Sequence, residues 1–212
     1  MAFGAAVAVA LSGASPSQLE YWRRQPAHGG RPLLVPEIST ERPLLYSFRD
    51  VMALRTCVCL RESVSLQKIR RATANLKELG FAEHLSRYRL VATDDDSVAL
   101  VGPDHAVDMA RRSGQQIIAE MSDVLAPFFV SKRAIEVPNF FQPRPRLTVN
   151  AAVRGGHPVV FGTRVPYELV AGLVADGVPP EQIKEFYPSA SAEGARDADD
   201  FARYVEQVNH AA

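Results

Sequence analysis

At 212 residues the chain is long enough for one large domain or two small ones, and 47% apolar with 23% charged residues is an ordinary soluble balance with material for real cores. The longest early apolar run, Ala5 to Leu11, falls far short of the roughly 20 residues of a membrane span, and no Lys or Arg precedes it, which argues against a membrane helix and a secretory signal alike. The net charge of zero hides an asymmetry: residues 1–90 carry 13 Lys and Arg against 7 Asp and Glu, residues 91–146 carry 6 against 8, and residues 147–212 carry 5 against 9, so a polyanion is the expected partner of the front and something else that of the back.

Ala5 to Leu11 reads as a short helix, "SGAS" (residues 12–15) as a turn, and "SPSQLEYWRR" (residues 15–24) as a second helix. Ser15 caps that helix, Pro16 suits its first position and Gln18 completes a capping box. Helix, glycine-bearing turn, helix is the layout of a helix-turn-helix. "RPLLV" (residues 31–35) recurs as "RPLLY" (residues 42–46) around a polar turn, and the pair reads as a hairpin, a wing beside the helices. Ser47 caps a third helix with Val51, Leu54 and Val58 on one face; "SVSLQKIRRATANLKELG" (residues 63–80) reads as a fourth. Cys57 and Cys59, the two cysteines, have no His-rich tract or second pair to make a zinc site, and are expected as half-buried thiols in a reducing cytoplasm.

In the middle, "YRLVAT" and "SVALVG" flank Asp94, Asp95 and Asp96 as a hairpin with a solvated acidic turn, since no calcium-loop spacing follows. "AVDMARR" reads as a short helix and "QQIIAEM" as a strand. Phe128, Phe129, Phe140 and Phe141 either dock a partner or cover the chain's own core. "FQPRPRL" (residues 141–147) reads as a proline-rich linker. Beyond it come two short extended runs, "LTVN" and "VVFG", and three helices: Pro166 to Asp176, Pro179 to Tyr187, and one capped by Ser191 that runs to about Val208. The glycines of "GGHPVVFGTRVPYELVAGL" read as backbone permissions for turns and Arg164 as a brace for the helices; Gly194 stands where a helix former is expected.

The expected fold is therefore mainly α with small β elements: a winged helix-turn-helix over residues 1–85, a small α/β connecting segment over 86–140, and a three-helix unit over 141–212. The front carries the best case for chemistry. Ser17, Gln18, Tyr21, Arg23 and Arg24 on the second helix are placed to meet base edges in a major groove, and Arg31 and Arg42, on the arms of the wing, to meet phosphates. Glu181 and Glu185 make the tail a poor second DNA reader, which favours a protein partner or self-association there. Gly156 and Gly162 are one residue too far apart for a P-loop and no Lys follows, and no catalytic triad or paired-carboxylate site assembles, so neither an enzyme, a cofactor nor a metal is expected.

Residues 3–80, with Tyr46, Ser47, Asp50 and Val51 matching the pattern Tyr-Ser-x-x-Asp-Val after the wing, resemble the MerR-type winged helix-turn-helix. The tail, through Gly156, Pro158, Gly162, Thr163, Arg164, Pro166, Gly177, Glu181, Ile183, Tyr187 and Pro188, is similar to the small bacterial domain-of-unknown-function family 433. The two together resemble mycobacterial antitoxins of the VapB kind. That resemblance implies a cytoplasmic homodimer that neutralises a PIN-like ribonuclease toxin and represses its own operon by binding operator DNA, with no membrane partner. The rival expectation is a MerR-type transcriptional regulator that responds to a small effector.

Overall fold

The computed structural model describes residues 2–24, 32–60, 89–92, 98–101 and 116–210. Helices and small antiparallel sheets make up these residues, the mainly α composition with minor β that was expected. The expected helix over residues 63–80, the Asp94–Asp96 turn, the short helix at "AVDMARR" and Arg31 lie outside the described residues.

Strand β1 (Phe3–Gly4) leads into helix α1 (Ala5–Ser12), whose sequence AAVAVALS has no polar face. A helix apolar on all sides must be buried on all sides. Val7 to Ser12 are accordingly buried, and α1 is the central post of the molecule. Gly13 ends it at φ 77°, a left-handed conformation that an L side chain resists, with its N–H on Val9 O at 2.9 Å. Helix α2 (Pro16–Arg23) follows after three residues. Its capping box is formed: Gln18 N donates to Ser15 Oγ at 3.0 Å and Ser15 N donates to Gln18 Oε1 at 2.7 Å.

The expected hairpin between residues 31–35 and 42–46 is replaced by another arrangement. Strand β2 (Leu45–Tyr46) pairs antiparallel with β1, Phe3 opposite Tyr46, so its backbone groups are already engaged. Leu33 and Leu34 are buried instead, and Leu34 N donates to Trp22 O at the end of α2. A tight reversal does exist, but between Ser39 and Leu45, which exchange two backbone hydrogen bonds. Helix α3 (Phe48–Leu60) opens on Ser47 as expected. Asp50 N donates to Ser47 Oγ, and Asp50 Oδ2 accepts from Ser47 N at 2.9 Å and from Glu37 N at 2.8 Å, tying the preceding loop to the helix start.

Strand β3 (Arg89–Ala92) lies between β4 (Val98–Val101) and β5 (Gln116–Glu120) in an antiparallel sheet, which contains the expected hairpin and strand. Helix α4 (Met121–Leu125) leads to a second hairpin, β6 (Phe128–Val130) and β7 (Ile135–Val137), closed by a one-turn 3-10 helix at Ser131–Arg133. The phenylalanines divide: Phe140 is fully buried, packed edge-on against Phe48, while Phe129 and Phe141 are exposed.

The tail holds a two-stranded ribbon, β8 (Leu147–Thr148) with β9 (Val159–Val160), then α5 (Tyr167–Ala175), a 3-10 turn (Pro180–Gln182) running into α6 (Ile183–Phe186), and α7 (Ala192–His210). Ala195, Ala198, Phe201, Val205 and Val208 form the buried stripe of α7. Gly194 is there because α7 crosses β9 closely: a Cβ on it would stand 2.7 Å from Val160 Cγ1. Residues 141–147, expected as a linker, are strapped to α7. Arg144 pairs with Asp200 and lies over the rings of Phe201 and Tyr204, Arg146 N donates to Asp197 Oδ2, and Pro143 and Leu147 are buried. Helix α7 packs against both α5 and α1, and one hydrophobic cluster runs from Phe3 to Val208.

Candidate nucleic-acid interface

Helix α2 is anchored from behind by Leu19 and Trp22, 5% and 3% exposed, as a reading helix must be. Positions 17, 21 and 24 share a face at helical spacing, and Ser17, Tyr21 and Arg24 are all exposed there, Tyr21 at 60%. Gln18, expected as a base-reading side chain, is half-buried and gives its Oε1 to the capping box. Ser17 Oγ lies 3.0 Å from Ser15 Oγ.

The two arginines are not bare cations. Arg23 reaches Glu20 at 2.5 Å and Arg24 reaches the other oxygen of the same carboxylate at 2.7 Å. Their hydrogen bonds hold the Glu20 carboxyl down at about 2, so it stays charged at any physiological pH. The i,i+3 and i,i+4 spacing of Glu20 to Arg23 and Arg24 is a signal sequence reasoning could have read, and it dilutes the positive face by one charge. Arg42 is exposed in the reversal between Ser39 and Leu45 rather than on a paired arm.

A further charge lies inside the core. Arg55 is fully buried and donates to the carbonyls of Leu11, Val124, Leu125, Ala126 and Pro138, with Phe128 4.9 Å from its guanidinium carbon. Burial pulls its pKa down to about 10, still well above neutrality. It is the cationic stopper at the C-terminal ends of α1 and α4, where unpaired carbonyls and the negative dipole end collect. Cys57, buried, and Cys59, half-buried, form no disulfide, and burial pushes the Cys59 thiol up, away from thiolate reactivity. No group of three or more His, Cys, Asp or Glu suited to a metal occurs among the described residues.

In the tail, His157 Nε2 meets Glu168 Oε2 at 2.8 Å, and its ring stacks on Tyr167. Thr163 Oγ1 donates to Val160 O and accepts from Val165 N, so Thr163 braces the loop; Arg164, expected in that role, is exposed and makes none of the described ion pairs or hydrogen bonds. Gly156 backs onto Phe3 and Phe48, Pro158 O accepts from Tyr167 N, Pro166 caps α5, Gly177 closes it at φ 93°, and Ile183 is fully buried. Glu181 pairs with Arg196 of α7. These are folding roles: turns, closures and the seat of three helices, without a convergent polar site.

Residues 147–202 match the family described as "Protein of unknown function (DUF433)". The DUF433 match begins at β8 and ends within α7, leaving the front of the chain and the last turns of α7 outside it. No curated protein and no solved structure matches the chain. Beside the DUF433 segment, a cleft of about 710 Å³ opens between the β6–β7 hairpin, the strap at 138–145 and the end of α7, with Glu136, Gln142, Arg144, Tyr204 and Gln207 among its walls. The Tyr204 hydroxyl in its wall donates to Glu136 O, and burial raises its pKa to about 12. No helix among the described residues is long and apolar enough to cross a membrane.

Proposed function

We propose that this chain is the antitoxin of a type II toxin–antitoxin pair, a cytoplasmic homodimer that binds operator DNA of its own promoter through α2 and neutralises a PIN-like ribonuclease through its remaining surface. The observation that carries the DNA half is the α1–turn–α2 unit: a capped, eight-residue helix held by Leu19 and Trp22, presenting Ser17, Tyr21 and Arg24 outward. The polar N-terminal end meets base edges, and the cationic C-terminal end meets phosphate. On docking, Arg23 and Arg24 exchange part of their bond to Glu20 for phosphate oxygens, and Arg42 adds a further phosphate from the adjoining loop. The protein half rests on the joint resemblance of residues 3–80 and of the tail to VapB-type antitoxins and on the acidic tail, which a cationic surface complements.

Two measurements test the reading. Affinity for a duplex of the chain's own promoter is compared between wild type and the Arg23→Ala/Arg24→Ala variant across salt; for every phosphate that the variant no longer neutralises, the log–log salt slope should flatten by ~0.9. An unchanged slope and affinity remove α2 from the interface. Co-expression with the operon neighbour should give a stable complex and suppress RNA cleavage; no complex sinks the antitoxin half. The cleft, of a size that suits small ligands, favours a second reading, a MerR-type regulator whose promoter affinity responds to a small effector without any nuclease partner.

A further inference from the structure

The turn between α1 and α2 is held from outside both helices. Gly13 faces the β6–β7 hairpin so closely that a Cβ on it would stand 2.5 Å from Val137 Cγ2 and 3.3 Å from Val130 Cγ2. The tip of the same hairpin carries Arg133. Its Nη1 donates to Gly13 O at 3.0 Å and its Nη2 donates to Val208 O at 2.6 Å. One planar fork therefore joins the Gly13 carbonyl, in the turn between α1 and α2, to the last turn of α7. The fork does not stand alone. Along the same face Asn209 Nδ2 donates to Ala6 O at 3.1 Å, and Tyr204 Oη lies 3.4 Å from Ala10 O. Helix α7 thus grips α1 at successive turns, and Arg133 extends the grip past the helix end to the turn itself.

We propose that Arg133 is a positioning residue for α2: it fixes the angle at which α2 leaves α1 and makes that angle depend on how the end of α7 is seated. The inference rests on α2 being the DNA-reading helix. Leu19, Trp22 and the bond from Leu34 N to Trp22 O hold the far end of α2 against the core, and the two hydrogen bonds of the rigid Arg133 guanidinium plane hold the turn before its near end. A helix pivoted in the groove gives up its hydrogen bonds to bases, which need placement to a few tenths of an ångström, before it gives up phosphate attraction, which acts over the Debye length. Arg133 should therefore govern the preference for operator over unrelated DNA more than the affinity for DNA as such.

The test uses the full chain with Arg133→Met, which keeps an apolar stem and removes the donors, and Arg133→Lys, whose ammonium replaces the planar fork with a point charge. Binding is measured to the promoter duplex and to a scrambled duplex of equal length, together with backbone amide exchange over residues 14–24. For Arg133→Met the operator-to-scrambled ratio should fall about tenfold, with scrambled binding within twofold of wild type and faster exchange over 14–24. Arg133→Lys should recover part of the ratio, to about threefold below wild type. A wild-type ratio and wild-type exchange in Arg133→Met overturn the proposal; if that variant does not fold, a wild-type ratio in Arg133→Lys overturns it. Should the wild type itself show no preference for its promoter, the reading of α2 fails. The exchange measurement then decides Arg133 alone: faster exchange over 14–24 with unchanged exchange in α5 supports the positioning role, and unchanged exchange refutes it.

Discussion

Arg55 satisfies five backbone carbonyls with one side chain, and those carbonyls come from parts of the chain 44 to 83 residues away. A buried charge is tolerated when its donors find acceptors, and here the acceptors are main-chain carbonyls from the ends of α1 and α4 and from Pro138 after β7, the Leu125 carbonyl also accepting from Phe140 N. Replacing Arg55 by Met keeps the apolar stem and takes the guanidinium from those carbonyls. The expected loss is about 3–5 kcal/mol, read by urea denaturation, the range for breaking a buried charged network; a loss under about 1 kcal/mol would mean that water replaces the guanidinium. Nothing near Arg55 in "MALRTC" marks it apart from an exposed cation, because its partners are main-chain atoms distant in sequence. Gly194 hides its reason in the same way. In sequence it is a poor helix former in a first turn; in space it is where α7 comes up against Val160.

At the scale of single elements, α2 shows what local order supplies and what it withholds. Its cap was legible because Ser15 and Gln18 are three residues apart and satisfy each other, and the start of α3 was legible through Ser47 and Asp50 for the same reason. The partner of β2 was not, since the repeated "RPLL" suggested a neighbour and the backbone of Phe3–Gly4 provided the actual one. The Glu20 carboxyl, lowered from 4.5 to about 2 by Arg23 and Arg24, has a lower pKa in the folded state than in the unfolded chain. Its contribution to α2 is therefore complete above pH 4.5 and disappears as pH falls from 4.5 to 2. Carboxylate NMR should place the midpoint near 2 in wild type and return it toward 4.5 in Arg23→Ala/Arg24→Ala. A wild-type midpoint near 4.5 would show that both ion pairs dissolve in solution.

Across the whole molecule, the three helices of the tail were legible from their proline starts, glycine stops and periodic stripes. What the stripe of α7 could not tell is what covers it, because amphipathic spacing predicts burial and never the partner. Half of the answer is α5, inside the DUF433 segment; the other half is α1. A chain ended at residue 190 would leave the α7-facing side of α1 without a cover. It should bind the dye ANS and lose cooperative thermal unfolding, and a truncated chain that melts as sharply as the intact protein would disprove the dependence. The pairing of α1 with α7 also sets a schedule for synthesis. The bond from Asn209 to Ala6 spans 203 residues, which a ribosome takes roughly 10–40 s to traverse. Throughout that interval the α7-facing side of α1, the most apolar helix among the described residues, is made but uncovered, so the nascent protein needs either a chaperone or a temporary shelter for that side before α7 emerges.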